Sequence, residues 1–301
     1  MSNISIESTL KSSDTEEWID IYFYRKIGYA IAWASMKANI SPNALTIISI
    51  FWGMAAGHLF YYSNLWINVI GIVCLVIANS LDSADGQLAR MTNNKTKLGR
   101  ILDGLAGNIW FVTIYIHLLL RLLHEGYGYW VIVLFAVTGA SHIFQAALAD
   151  YYRNAHLYII NGEEGSEFDN SSKVKKEYEK LLWKKHFFEK LFTCTYINYT
   201  REQELFTKNL QKLVQLIKVK FNGKLPVSIQ KDLRKENKVL MPITNILSFN
   251  TRAIALFICL ISGQVIWYWV FEFTILNFLL LYMIGKQERI SKKYFAILNN
   301  I

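Results

Sequence analysis

Cysteine is scarce in this chain and badly placed for cross-linking. There are 3 in 301 residues, Cys74, Cys194 and Cys259, far apart in the sequence. They form no Cys-x2-Cys pair and no disulfide framework. Cys74 and Cys259 fall inside apolar runs, where cysteine behaves as a small hydrophobe. The 6 histidines are scattered, and none belongs to a His-Glu-x2-His pattern. Residues 1–17 are polar and lack the apolar stretch of a secretory signal peptide.

Apolar residues are abundant. They make up 53% of the chain, and mean hydropathy is +0.22, above the usual range of soluble domains. Several runs approach the roughly 20 residues needed to span a bilayer. The expected fold is all-α. It is a polytopic membrane bundle of about six transmembrane helices, with an N-terminal interfacial helix and a cytoplasmic helical insertion.

Residues 1–16 are rich in Ser, Thr and Glu and read as disordered. Residues 17–40 are aromatic and apolar but broken by Asp20, Arg25, Lys26 and Lys37. An amphipathic helix lying in the interface suits them better than a short span, with Trp18, Tyr22 and Tyr24 as interfacial aromatics. Ser41-Pro42 reads as an N-cap and first helical position. Membrane helices one to four then take residues 41–150: Ala44–Tyr62, Leu65 to about Asp85, Leu98–Leu123 behind a Thr96 cap, and Tyr127 to about Asp150. Residues 151–250 form the insertion. Over 151–252 there are 19 Lys or Arg against 11 Asp or Glu, a net of +8 within the chain's total of +9. Apolar residues at helical spacing, such as Leu205, Leu210, Leu213, Leu216 and Ile217, predict amphipathic helices there, joined at Gly162, Gly165, Gly223 and Pro226. Helices five and six take 251–285, and 286–301 is a basic tail.

Three carboxylates sit between the apolar runs Val69–Leu81 and Ile109–Leu123. Asp82 and Asp85 are three apart and share a helix face. Asp103 lies on the next run, which returns antiparallel and faces them. Such a trio suits a hard divalent cation, since Mg²⁺ takes oxygen ligands and keeps phosphate oxygens in its shell. The alternative is a set of helix-end carboxylates paired with Arg90 and Arg100. Gly86, Ala89 and Gly99 leave room for a bulky ligand near the backbone, although small residues also let membrane helices pack closely. Arg90 offers a fork of donors to phosphate, or braces a ligand carboxylate. Together these residues read as a metal-held diphosphate at a membrane surface.

The spacing Asp82-x2-Asp85-Gly86-x2-Ala89-Arg90-x8-Gly99-x3-Asp103 resembles the signature of the CDP-alcohol phosphatidyltransferase family. The Ser41-Pro42-Asn43-x2-Thr46 entry and the number of membrane segments are similar too. The resemblance implies an enzyme that binds a CDP-linked lipid or alcohol. It would transfer the phosphoryl-bearing group to an acceptor alcohol, release CMP and serve phospholipid synthesis. It implies Mg²⁺ or Mn²⁺, in two sites, on Asp82, Asp85 and Asp103. Asp82, Gly86, Ala89, Arg90 and Gly99 would surround the nucleotide and diphosphate, with Asp103 among the catalytic residues.

One position departs from that pattern. The family signature ends in a fourth Asp, resembling a general base, four residues after the third. Here Gly107 stands there, followed by Asn108. Neither takes a proton at neutral pH, and a second metal site would be weakened with the loss. Asp150, at the end of the fourth membrane helix, is the nearest replacement base by topology, and His156 is another. By location rather than motif, Arg153, Asn250 and Arg252 would hold a phosphate on the acceptor, or anchor to lipid headgroups. Related enzymes also suggest a homodimer.

The charge pattern gives an orientation. Counting six spans from Ala44, the even loops and both ends carry Arg25, Lys26, Lys37, Arg90, Lys95, Lys97, Arg100, the insertion and the tail. The opposite loops carry Arg121 and two acids at most. The positive-inside rule puts the carboxylates, the insertion and both termini in the cytoplasm; in a bacterium the membrane would be the inner one. The insertion is basic with interleaved Tyr and Phe, but its 11 acids speak against nucleic acid. Membrane lipids are the simpler partner for it, with a lid over the site or a dimer contact as alternatives. Two rivals to a transferase are a non-catalytic CDP-lipid-binding membrane protein, favoured by Gly107, and an ion transporter. The transporter is disfavoured because the carboxylates cluster at one face and no midplane charge lies in the other spans.

Overall fold

In the computed structural model, the described residues are 12, 14–94, 96–162, 166, 168 and 170–301, without the side chains of 97, 98, 100 and 188. Of residues 1–16, expected to be disordered, 1–11 and 13 lie outside the described residues, as do Lys95, Gly165 and the side chains of Lys97 and Arg100; Asp14 and Thr15 are buried and Glu16 pairs with Arg25, so the end of that stretch is packed.

Every regular element among the described residues is helical. A π-helical turn, Asp20–Tyr24, leads into α1, Arg25–Lys37. Then come α2, Pro42–Leu59; α3, Leu65–Met91; α4, Lys97–His124; and α5, Trp130–Asn161. The insertion holds α6, Ser171–Lys180; α7, Phe187–Leu205; α8, Lys208–Phe221; α9, Val227–Lys238; and α10, Met241–Ile246. The chain closes with α11, Phe249–Ile261; α12, Ile266–Phe271; a second π-helical turn, Glu272–Leu276; and α13, Asn277–Asn299.

Among the described residues, four stretches are long and apolar enough to cross a membrane: Leu65–Met91, Ile101–His124, Trp130–Asn161 and Ile266–Asn299. Two shorter apolar helices stand at the expected first and fifth spans, α2 with 18 residues and α11 with 13. At 1.5 Å per residue they reach about 27 and 20 Å. Large apolar side chains face outward along these helices. Phe278 is 72% exposed and Leu281 68%, which suits hydrocarbon and would be a liability in water.

The helices form two compact units. One holds the chain up to Ala140 together with Ala253–Phe271. Its core is α2 packed on α3 and α4, with α1 laid on α3. Glycines make these approaches close. A methyl group on Gly53 would fall 2.1 Å from Trp110 Cδ1, and one on Gly57 would fall 2.9 Å from the Ile114 backbone nitrogen. Gly53→Ala is therefore expected to lower stability by about 1–3 kcal/mol through overpacking. Thermal unfolding in detergent would measure this. Gly285→Ala is the control, since nothing lies within 4 Å of its added carbon.

The other unit holds Ser141–Arg252 and Glu272–Ile301. Here the spans overrun their apolar stretches. α5 continues beyond Asp150 to Asn161, and α13 carries residues 286–299 as helix. Helices of the insertion pack against both extensions. Gln203 Nε2 donates to the Ala147 carbonyl at 3.0 Å, and Gln230 Nε2 to the Ile159 carbonyl at 2.8 Å. Glu288 on α13 accepts from the backbone N–H groups of Asn209 and Leu210 at 2.7 and 3.2 Å. A carboxylate at that helix start satisfies donors that have no partner within the helix.

Candidate metal and nucleotide site

Three helix ends build the site, all in the first unit. α2 enters it through the Ser41 cap, whose Oγ accepts from Ala44 N at 3.2 Å, with Pro42 at the first position. α4 enters through Thr96, whose Oγ1 accepts from Gly99 N at 2.9 Å. The C-terminal half of α3 supplies Asp82 and Asp85, and α4 supplies Asp103. The α2 and α4 ends are N-termini, where unpaired N–H groups and the helix dipole favour an anion.

One oxygen from each of Asp82, Asp85 and Asp103 lies within 4.8 Å of the others. With metal–oxygen bonds near 2.1 Å, two ligands of one Mg²⁺ sit roughly 3–4.2 Å apart, so the trio needs only small side-chain shifts to close on an ion. The donor set is all oxygen, as a hard cation requires. Burial is graded across the cluster: Asp85 is 4% exposed, Asp82 half-buried and Asp103 exposed. The site is therefore closed behind Asp85 and open at Asp103. Thr46, from α2, closes the back by donating its hydroxyl to Asp85 Oδ2.

Arg90 completes the site. Its guanidinium is under the field of Asp85, Asp103, Glu16 and Arg25. Its Nε and Nη2 are buried without a hydrogen-bond partner among the described residues. A buried donor without an acceptor costs about 1–3 kcal/mol, and a phosphate oxygen would remove that cost. The glycines divide their roles. A methyl on Gly86 would meet the Arg90 guanidinium at 3.4 Å, so this glycine keeps the approach to Arg90 open. A methyl on Gly99 would fall 2.8 Å from Asn43 Oδ1, so this one lets α4 seat against the α2 entry. Ala89 is half-buried on the same turn as Arg90.

Several residues at the site carry no sequence signal of their own. Arg25 pairs with Glu16 through Nη2 to Oε1 at 2.9 Å and Nε to Oε2 at 3.1 Å. Gln87, two residues beyond Asp85, donates to the Arg25 carbonyl at 3.1 Å. A methyl on Gly28 would fall 2.7 Å from Gln87 Nε2 and 2.9 Å from Ser83 Oγ. α1 is thus anchored directly on the turn that carries the carboxylates. Ahead of it, Trp18 and Tyr22 are exposed, as interfacial aromatics would be, whereas Tyr24 is buried against the protein and does not join them.

At Gly107 the backbone is open: nothing lies within 4 Å of an added Cβ. Asn108 does not stand in for a base, since its Nδ2 donates back to the Gly104 carbonyl at 3.0 Å. Asp150, His156, Arg153, Asn250 and Arg252 belong to the second unit. Asp150 accepts from Asn154 Nδ2 at 3.1 Å and from the Tyr199 hydroxyl at 3.3 Å. Burial pushes the Tyr199 phenol well above its usual range, and the neighbouring Asp150 charge adds to that, so the hydroxyl keeps its proton. His156 is buried at 1% exposure. Arg153 Nη2 donates to Asn245 Oδ1 and Ser248 Oγ, each at 3.1 Å. Arg252 is buried, donating Nε to Glu272 Oε1 at 2.9 Å and Nη2 to Gln145 Oε1 at 2.7 Å. His142 Nδ1 lies 2.6 Å from the same Glu272 oxygen, and Asn250, two residues before Arg252 on α11, is buried.

Comparison with known proteins agrees with this geometry. Residues 39–157 match the family described as CDP-alcohol phosphatidyltransferase. Through this segment the chain is similar to the CDP-alcohol phosphatidyltransferase family. The segment contains the entry of α2, all three carboxylates and Arg90, and ends at residue 157, within the last turns of α5. Over 67 residues the chain is 36% identical to a protein of Aquifex aeolicus (strain VF5) described as uncharacterized, covering 22% of this chain and 33% of that one. Over 78 residues it is 35% identical to archaetidylinositol phosphate synthase of Pyrococcus horikoshii, covering 26% of this chain and 38% of that one. The chain therefore spans a third to two fifths of the length of these relatives. The apolar helices and the family match together point to an integral membrane protein, with an all-α polytopic fold.

Proposed function

We propose that this protein transfers a phosphatidyl or phospho-alcohol group from a CDP-linked donor to an alcohol, releasing CMP, in phospholipid synthesis. The observation that supports it most is the convergence of Asp82, Asp85 and Asp103 within 4.8 Å beside the unpartnered donors of Arg90. Asp82, Asp85 and Asp103 would hold Mg²⁺ or Mn²⁺; such an ion neutralises diphosphate charge and supports the leaving phosphate. Arg90 binds a diphosphate oxygen through Nε and Nη2. Gly86 keeps that approach free of side chain. The acceptor oxygen forms a new bond to phosphorus as the bond to the CMP oxygen breaks, and its proton passes to a base. The charge of the loops supports a cytoplasmic site and cytoplasmic termini.

A specific observation favours a second reading. The position that would carry the base is Gly107, with open space around it. A CDP-lipid-binding protein without transferase chemistry would show the same metal and diphosphate residues.

Purified protein with CDP-diacylglycerol, Mg²⁺ or Mn²⁺ and a panel of alcohols separates the two. The name of the Pyrococcus horikoshii relative makes inositol phosphate the first acceptor to try. The expected result is CMP that requires both acceptor and metal and vanishes in Asp82→Asn. Metal-dependent binding of the lipid without CMP, for any acceptor, would establish the second reading instead.

A further inference from the structure

We propose that His58 and His117 form a second cation site, taking a transition metal such as Zn²⁺, apart from the carboxylates. His58 lies in the last turn of α2 and His117 on α4, and their separation of 59 positions hides the pair in the sequence. Along α2, His58 stands twelve residues beyond Thr46, about 18 Å away at 1.5 Å per residue.

Three observations carry the site. His58 Nδ1 and His117 Nε2 are 3.3 Å apart. Two nitrogens on a tetrahedral Zn²⁺, with bonds of 2.0–2.1 Å, are separated by about 3.3–3.4 Å, so the rings are already spaced as two corners around one ion. The second observation is the other nitrogen of His117: Nδ1 lies 2.8 Å from the Thr113 carbonyl oxygen. Nδ1 must donate there, which leaves the lone pair on Nε2, facing His58. Metal-bound histidines nearly always donate their remaining N–H in this way. The third is access. His58 is exposed and His117 half-buried, and the rings stand at 89° to one another. Water completes the coordination. Arg121, one turn beyond His117, does not oppose a cation there, because its Nε donates to Glu125 at 2.8 Å.

The pair would also meet as a plain N–H···N hydrogen bond, and the test separates the two. Full-length protein without an affinity tag, in detergent and saturating Mg²⁺, is titrated with Zn²⁺. Co²⁺ serves as a spectroscopic substitute. Asp82→Asn/Asp85→Asn supplies a background in which the carboxylate site is disabled. The expected result is one Zn²⁺ per chain in both backgrounds and a tetrahedral Co²⁺ spectrum. His58→Gln and His117→Gln should each weaken binding at least tenfold, while His58→Cys, which keeps a ligand at that corner, retains it. Zn²⁺ should also raise the unfolding temperature of the native protein, of the carboxylate-disabled background and of His58→Cys, but of neither glutamine variant. Zn²⁺ affinity unchanged in both glutamine variants would overturn the proposal. So would the absence of any Zn²⁺ in the carboxylate-disabled background. Either failure leaves the transfer reaction untouched, since that reaction rests on other residues.

Discussion

Asp85→Asn is expected to abolish metal-dependent binding of CDP-diacylglycerol while leaving the protein folded, and even to stabilise it when metal is absent. Asp85 is the buried member of the trio and the one that Thr46 orients. Asparagine keeps the shape and one acceptor oxygen but removes the charge. Without a cation, three carboxylate oxygens within 4.8 Å of one another repel. At this separation one pair costs about 1 kcal/mol once solvent screening at the exposed Asp103 is counted. The variant loses that repulsion, so its unfolding temperature without metal should rise. The response of unfolding temperature to Mg²⁺ should disappear. CMP release should fall by at least 10²–10³, as expected for the loss of several kcal/mol of charge stabilisation. Thr46→Ala should act on the same carboxylate more mildly. Losing an outer hydrogen bond to a ligand typically costs about 10–100-fold in metal affinity. Unfolding scans with and without Mg²⁺, beside the CMP assay, measure all of these effects. An Asp85→Asn protein that still gains stability from Mg²⁺ would remove Asp85 from the ligand set.

The sequence shows the site more fully than it shows what supports it. Asp82, Asp85 and Asp103 stand out because charge is costly beside apolar runs and because their spacing is fixed. The caps Ser41 and Thr96 are equally plain, since small hydroxyl residues sit just before apolar helices. Thr46 is different. A threonine in an apolar helix is ordinary, and only the packing of α2 on α3 brings it to Asp85, 39 positions away. Gln87 and Gly28 are hidden for the same reason: their partner is a backbone carbonyl and a helix face. The ends of α5 and α13 mislead in another way. Residues such as Arg153 and Lys286–Lys293 are polar enough to suggest a loop or a tail. Yet Tyr151, Tyr152, Leu157, Tyr158 and Ile159 are buried. These stretches are amphipathic helices whose second face is covered by α8 and α9, and that cover lies many residues away, downstream of α5 and upstream of α13. A π-helical turn, Glu272–Leu276, interrupts the last membrane helix, and nothing in the sequence marks it. It places Glu272, fully buried, against Arg252. A buried carboxylate with a buried arginine is stable only as a pair.

The reverse experiment adds what the family pattern has and this chain lacks. Gly107→Asp places a carboxylate one helical turn beyond Asp103 and on the same face. The backbone is ready for it, since an added Cβ meets nothing within 4 Å. Replacing a glycine inside a helix also gains a few tenths of a kcal/mol of helix propensity. Against this, a fourth charge joins three that already repel, so the variant should be less stable without metal and should respond more strongly to Mg²⁺. If proton removal from the acceptor limits the rate, CMP release should rise by about 10²–10⁴, the usual worth of a positioned base. Gly107→Asn has nearly the same size and no base. It should give neither the rate gain nor the larger Mg²⁺ response. The two variants therefore separate chemistry from packing at a single position. A rate gain in aspartate alone would identify position 107 as the place where the native chain has given up its base. Equal rates in both, with native CMP release intact, would place the working base on another residue of the chain.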